Sequence, residues 1–216
     1  MASRSPEAIA TAAQEVGNGA VGIAADTTDL PRMEALPGEV AERLGGPVEI
    51  LVLNSGGPPP GGALDNSIEE WEATHRSLLL APRALIAAAL PAMRERGYGR
   101  IVNVGSSTTR EPIPSLNLSN SYRLAAVGFF KTLAREVAAD GVTVNTVGTG
   151  RFATDRLASN WGSWEEMMEG AAKDVPAGRL GNPDEYGDLV AFICSEQASF
   201  LTGTIIPLDG GMQRSV

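Results

Sequence analysis

The segment Gly99–Leu157, GRIVNVGSSTTREPIPSLNLSNSYRLAAVGFFKTLAREVAADGVTVNTVGTGRFATDRL, decides the fold. Arg100–Val104 is a short apolar run of the kind that forms a buried strand. A serine-rich loop follows. The spacing then predicts a long helix over Ser119–Asp140, with Ser119 of Ser-Asn-Ser read either as its N-cap or as a functional hydroxyl. Val142–Val147 is a second buried strand, and Gly148-Thr149-Gly150 is a turn. Strand, helix, strand at this spacing is a crossover unit of a parallel sheet.

The same alternation extends in both directions. Upstream, Ser5-Pro6-Glu7 opens a helix that runs to about Val16. Ala20–Ala25 reads as a strand, and Pro31–Leu44 as a weaker helix interrupted at Pro37-Gly38. Val48–Leu53 reads as a fully buried strand. The run from Gly56 to Gly62 holds only glycine and proline and must be a loop. Ser67–Arg96 reads as a long helix that Pro82 should kink. Downstream, Asn182 caps a helix over Pro183–Ser195, and Thr204–Leu208 is a last strand closed by Asp209-Gly210-Gly211. The expectation is a single α/β domain over residues 1–216.

Composition narrows the function classes. The chain has 216 residues, 43% of them hydrophobic, and a formal net charge of −9. An acidic chain without a basic stripe argues against nucleic acid as a partner. One cysteine, Cys194, and one histidine, His75, exclude an internal disulfide and make a zinc site improbable, so no metal is expected. No membrane span is expected. The opening Met1–Ala10 lacks an apolar run, which points to a cytoplasmic protein.

Several short motifs, in order, carry a family resemblance. They are Leu53-Asn54-Ser55-Gly56-Gly57, then Trp71 with Leu90-Pro91 and Met93, and Gly148-Thr149-Gly150 with Thr154. After them come Arg179-Leu180-Gly181-Asn182-Pro183, Leu201-Thr202-Gly203 and Leu208-Asp209-Gly210-Gly211. In wording and register the chain resembles the short-chain dehydrogenase/reductase family from Ala2 to Met212. The resemblance implies a Rossmann-like doubly wound parallel sheet, NADP as cofactor, a small-molecule substrate, and a homodimer or homotetramer.

It also assigns residues. Ser106 falls on the serine that hydrogen-bonds a substrate carbonyl. The family's Tyr-x-x-x-Lys falls on Ser119 and Arg123, and its assisting asparagine on Leu78. Ser3 and Arg4 resemble the pair that grips a 2′-phosphate, and Asp26 the aspartate beside adenine. Asn54, Ser55 and Gly56 resemble the turn that approaches the ribose, and Thr154 the cofactor carboxamide contact. The family's first strand and glycine-rich phosphate loop have no counterpart after Met1, so the sheet is expected to lack them. Contraction of the sheet, with Ala20–Ala25 pairing directly with Val48–Leu53, is the simplest repair.

The chemistry leaves three functions open. An aliphatic hydroxyl at Ser119 is too weak an acid to replace a phenol. Arg123 keeps positive charge but does not shuttle protons, although it can hold an anion in a bidentate fork or pair with Glu136 or a loop carbonyl. Tyr122 points about 100° away from Arg123 on a helix and is a poor substitute. His75 lies one turn before Leu78, either as a replacement acid/base or as a surface residue. Trp161, Trp164, Met167 and Met168 read as core or as an adaptable lid. The readings are an NADP-linked carbonyl reductase, a non-redox enzyme (dehydratase, isomerase or cyclase), or a catalytically silent subunit. For assembly, Ala81, Ala84, Ala88 and Ala89 on one helix and Val127, Phe130 and Ala134 on the other are the expected interface.

Overall fold

The computed structural model describes residues 1–159 and 161–215. Among the described residues, six strands and eight helices follow one another. They are β1 (Ala2–Ser3), α1 (Pro6–Val16), β2 (Ile23–Ala24), α2 (Leu30–Leu44), β3 (Ile50–Leu53), α3 (Ile68–His75) and α4 (Ala81–Arg96). Then come β4 (Gly99–Val104), α5 (Asn117–Val137), β5 (Val142–Thr149), α6 (Asp155–Ala158), α7 (Trp164–Ala172), α8 (Pro183–Cys194) and β6 (Ile205–Leu208). Every strand pairing is parallel, as the sequence alternation requires.

The sheet is not contracted. β1 pairs with β2, and β3 pairs with β4, so the strands divide into a two-stranded sheet and a four-stranded sheet in the order β3-β4-β5-β6. No ladder joins the strand at Ile23–Ala24 to Ile50–Leu53, which overturns the expected direct pairing. The reason lies in the packing of α2. Met33 and Leu36 of α2 are anchored with Ile23 on Ala81 and Ala84 of α4, which fixes where β2 can lie. A slide of β2 toward β3 would break that cluster.

Two helices differ from expectation. α2 runs unbroken through Pro37, which is buried, rather than being interrupted at Pro37-Gly38. Pro82 lies in a continuous helical path from Ile68 to Arg96, where residues Arg76–Leu80 form a π-turn. The Ala81 amide donates to the Arg76 carbonyl there, one residue further back than in an α-helix. A π-turn next to a proline absorbs the ring that would otherwise meet the carbonyl four residues earlier. This path also holds an 18-residue window of mean hydropathy 1.3. Its apolar side chains serve packing: Ala81, Ala84, Ile86, Ala89 and Met93 are all buried.

That packing corrects the expected interface. Ala89, Phe130 and Ala134 belong to the main core with Ile101 and Val144, and Ala81 and Ala84 to the α2 cluster. These five residues pack within one protomer, whereas Val127 is half-buried. On the same helices Ala87, Ala88, Leu124, Ala125 and Gly128 remain exposed.

The capping chemistry of α8 follows its sequence. Asn182 caps the helix, and Glu185 closes the capping box. Arg179 donates two hydrogen bonds to the Glu185 carboxylate, at 2.8 and 2.7 Å. Arg179 first, then the Asn182 amide, lowers the Glu185 carboxyl from 4.5 to about 2. A depressed carboxylate stabilises the fold above its unfolded value and loses that contribution as pH falls toward its folded value. The expected result is a Glu185 side-chain carbon NMR titration centred near 2. An Arg179→Met variant should move it upward, and a midpoint unchanged by that substitution would contradict the pairing.

Candidate active site

A cavity of about 690 Å³ opens between the β1–β2 pair and β3, lined by β1, all of β3 and the residues that follow β1, β2 and β3. Such volumes are typical of small-molecule and cofactor sites. Ser3, Arg4, Asp26, Asn54, Ser55 and Gly56 line it together with Arg123. Seven of the ten residues singled out in the sequence are therefore brought together. Ser106, Ser119 and Thr154 lie outside that lining.

At one end, Asp26 accepts bonds from the Thr28 amide and hydroxyl, both at 2.8 Å. These bonds, with the charge of Arg4 adding less, hold its carboxyl below the usual range. Asp26 is thus a fixed acceptor at neutral pH. Asn54 to Gly57 follow directly from β3, and a Cβ on Gly56 would meet nothing within 4 Å. The backbone there is open to a ligand.

At the other end stands Arg123, on the first turns of α5. Its Nη1 donates to the Val104 carbonyl at the end of β4, 3.0 Å away. A strand-end carbonyl, rather than Glu136 or a loop carbonyl, is its partner. Burial pushes its pKa down, and the Tyr186 side chain acts in the opposite direction. A guanidinium has five N–H donors, so this bond leaves most of the fork available.

The serines occupy different roles. Ser106 Oγ accepts from the Thr108 amide at 3.2 Å, capping a single 3₁₀ turn over Ser107–Thr109. As an acceptor there, its hydroxyl proton stays free to donate. Ser119 is not the helix cap. α5 begins two residues earlier, at Asn117, and Ser119 is buried within its first turn at 8% exposure. Asn120 explains the early start, because its side chain bonds both the amide and the carbonyl of Ile113 and ties the preceding loop to the helix. Thr154 caps α6 by accepting from the Leu157 amide at 3.3 Å.

Three other sequence readings resolve. His75 stacks on Tyr122 with ring centroids 5.7 Å apart, and Trp71 meets the same ring edge-on at 5.5 Å. Tyr122 and His75 therefore form an aromatic cluster between α3 and α5 and do not line the cavity. The segment after β5 divides: Met167 is fully buried with Ala171 and Leu180, whereas Trp161, Trp164 and Met168 are 38, 49 and 39% exposed. Cys194 is buried and its thiol is pushed up by burial, an inert group.

One neighbour of the cavity residues escaped the sequence. Tyr186 of α8 shares a 3.0 Å hydrogen bond with Thr149 at the end of β5. Burial raises its phenol pKa, while the Thr149 bond and the Arg123 charge pull it back. Nothing in the spacing around Asn182–Tyr186 marks it, because α8 reaches the strand ends only through tertiary packing. Arg156 is a second such residue, its guanidinium beside Gly57. The C-terminal tail also closes on the serine loop, with Gln213 donating to the Ser107 carbonyl at 3.1 Å and Glu111 accepting the Arg214 amide at 2.7 Å.

The cavity can be tested against a nicotinamide dinucleotide. The adenosine end fits: a cation at Arg4, an acceptor at Asp26 and an open glycine turn. The opposite end fits an anionic or oxyanionic group at Arg123. The middle offers less. Diphosphates are commonly held at a free helix N-terminus. Near the cavity, the start of α3 has two of its amides taken by the reciprocal Ser67–Glu70 capping box.

The comparisons agree with this geometry. Residues 1–213 match the family model described as enoyl-(acyl carrier protein) reductase. The 3-oxoacyl-[acyl-carrier-protein] reductase FabG of Vibrio cholerae is 35% identical over 98% of this chain and 89% of its own length. The human dehydrogenase/reductase SDR family member 4 is 33% identical over 79% of this chain and 62% of its own. The L-sorbose reductase of Gluconobacter frateurii, solved with NADPH and L-sorbose, superposes with a TM-score of 0.92 at 26% identity, covering 100% of this chain and 86% of that one. YwfH, an NADPH-dependent reductase involved in bacilysin biosynthesis, gives 0.89 at 26% identity. With the parallel α/β architecture, these matches establish that the chain belongs to the short-chain dehydrogenase/reductase family of oxidoreductases.

Proposed function

We propose that this protein interconverts carbonyl and hydroxyl groups on a small molecule with NADP as cofactor, using an atypical set of catalytic side chains. The observation that carries this reading is a cavity whose lining brings together Arg4, Asp26 and a mostly buried Arg123. The cofactor, when bound, supplies or accepts the hydride. Relatives described as NADPH-dependent reductases support that assignment.

The chain's own residues do the rest. Arg4 offers a bidentate donor to a ribose phosphate, and Asp26 an acceptor to the base. Arg123 holds negative charge developing on the substrate oxygen. In its desolvated position that interaction is stronger than it would be in water. Ser106 stays outside the cavity lining and caps the turn over Ser107–Thr109. The half-exposed Trp161, Trp164 and Met168 form the adaptable cover over the substrate end. A homodimer or tetramer completes the reading, formed through the exposed stripe of Leu124, Ala125 and Gly128 on α5 with Ala87 and Ala88 on α4.

One observation favours a second reading. Among the residues that line the cavity, α5 contributes Arg123, and no tyrosine is among them. An anion clamp without an acid suits a dehydratase, isomerase or cyclase, or a catalytically silent subunit. Titration of NADPH by its fluorescence separates the two. Saturable binding weakened at least tenfold by Arg4→Met is the expected result. Absence of binding would overturn the redox reading.

A further inference from the structure

Two arginine side chains at the cavity lack a carboxylate. The chain has 26 acidic residues against 17 Lys and Arg, so partners are abundant. Arg32, Arg43, Arg94, Arg96, Arg151 and Arg179 each hold one at 2.5–2.8 Å. Among the described residues, neither Arg123 nor Arg156 has an acidic side chain within ion-pair distance. Arg123 lines the cavity, is mostly buried, and donates to one carbonyl, that of Val104. A desolvated cation without a counter-charge is costly, and an anion in the cavity offsets that cost.

Arg156 reaches the same region from another element. It lies on α6, after β5, and is exposed. A Cβ on Gly57 would lie 3.4 Å from its Nη2 and 3.9 Å from its Nε, and Gly57 lines the cavity. Gly57 follows β3. In the sheet β4 separates β3 from β5, so the Arg156 side chain bridges the ends of the two strands that flank β4. Arg123 is bonded to Val104, the last residue of β4. Guanidinium groups from α5 and α6 thus come to the ends of three neighbouring strands. The carboxylates of the cavity wall, Asp26 and Glu70, do not answer them. Asp26 is bonded to Thr28, and Glu70 accepts from the Ser67 amide at 2.9 Å and the Asn66 side chain at 3.3 Å.

We propose that the substrate is a small oxo acid, a carbonyl compound that also carries a carboxylate, with Arg123 on the carbonyl oxygen and Arg156 on the carboxylate. Arg156 is then the residue that sets specificity. A guanidinium grips a carboxylate through two parallel hydrogen bonds, which fixes the orientation of the bound molecule as well as its affinity. A neutral carbonyl compound of the same shape leaves that fork unmatched and binds more weakly. Two cations from separate elements also fix the direction of the substrate, since only one of its polar groups is charged. The task given to Arg123 rests on the carbonyl reading above, whereas the anion site at Arg156 does not.

The test titrates pyruvate, acetoacetate and levulinate, each beside its uncharged methyl ester, into the protein. NMR of the arginine Nε–H groups, assigned with Arg123→Met and Arg156→Met, reports on both side chains. One of the three acids should bind saturably, shift both resonances, and bind about tenfold more tightly than its ester. Arg156 is exposed, so Arg156→Met should fold as wild type does. In that variant the preference should fall to about twofold or less, while NADPH affinity read by fluorescence stays unchanged. Arg156→Lys, which keeps the charge without the fork, should recover part of the preference. Equal binding of acid and ester in all three pairs would overturn the proposal. So would a preference that survives in Arg156→Met, or a matching loss of NADPH affinity there, which would assign Arg156 to the cofactor phosphates. Preference for the acid with no NADPH oxidation upholds the anion site and removes the redox reading.

Discussion

Phe130→Glu is expected to unfold the chain, not merely to dissociate it. Phe130 is 3% exposed and sits among Ile101, Val144, Met93 and Ala134, with Phe129 at 5.3 Å between ring centroids. Losing a buried aromatic costs about 3–5 kcal/mol, and a carboxylate in its place adds its desolvation. The sum is comparable with the whole stability of a domain, about 5–15 kcal/mol. Urea denaturation followed by circular dichroism should show no folded baseline, or a midpoint far below wild type. Leu124→Glu is the contrasting change. Leu124 is 55% exposed on the outer face of α5, so the fold should persist while sedimentation shifts toward the 22.5 kDa protomer. A folded Phe130→Glu chain would refute the core assignment, and an assembly untouched by Leu124→Glu would refute the interface.

Arg123→Met should lower kcat/KM by about 10²–10³ without destabilising the protein. The loss matches removal of one donor to a developing oxyanion. The stability argument runs the other way. Arg123 is desolvated, which pushes its pKa down, and its protein hydrogen bond goes to a single carbonyl. Replacing such a charge with a packed apolar side chain is commonly neutral or stabilising. A third signature tests the neighbourhood: the Arg123 charge lowers the Tyr186 phenol, so its removal should move the Tyr186 ionisation to higher pH. Difference absorbance near 295 nm, referenced to Tyr186→Phe, reads that shift. Loss of turnover accompanied by a falling urea midpoint would mean Arg123 acts as a structural prop.

The order of elements was legible because each carries its own local signal. Asn182 with Glu185 announces α8, and the apolar runs at Arg100–Val104 and Val142–Val147 announce the buried β4 and β5. Their boundaries shifted where a tertiary bond intervened: Asn120 clamping Ile113 starts α5 two residues before Ser119, and the π-turn accommodates Pro82.

What the sequence by itself determined is what depends on near neighbours: strand and helix alternation, capping, and the turn residues that bring Arg4, Asp26 and Asn54 to the ends of strands. The tertiary structure alone decided which distant groups meet. Burial of Phe130 and Ala134 within one protomer follows from how α4 and α5 share one face of the sheet. Tyr186 reaches Thr149 only because α8 packs across β4 and β5. The separation of β2 from β3 was likewise beyond local reading. Either pairing satisfies the apolar pattern of the strands, and the choice falls to the side-chain cluster of Met33, Leu36, Ala81 and Ala84, whose members are far apart in the chain. Local propensity costs no loop entropy to express, whereas a non-local cluster forms only when the whole chain has closed around it.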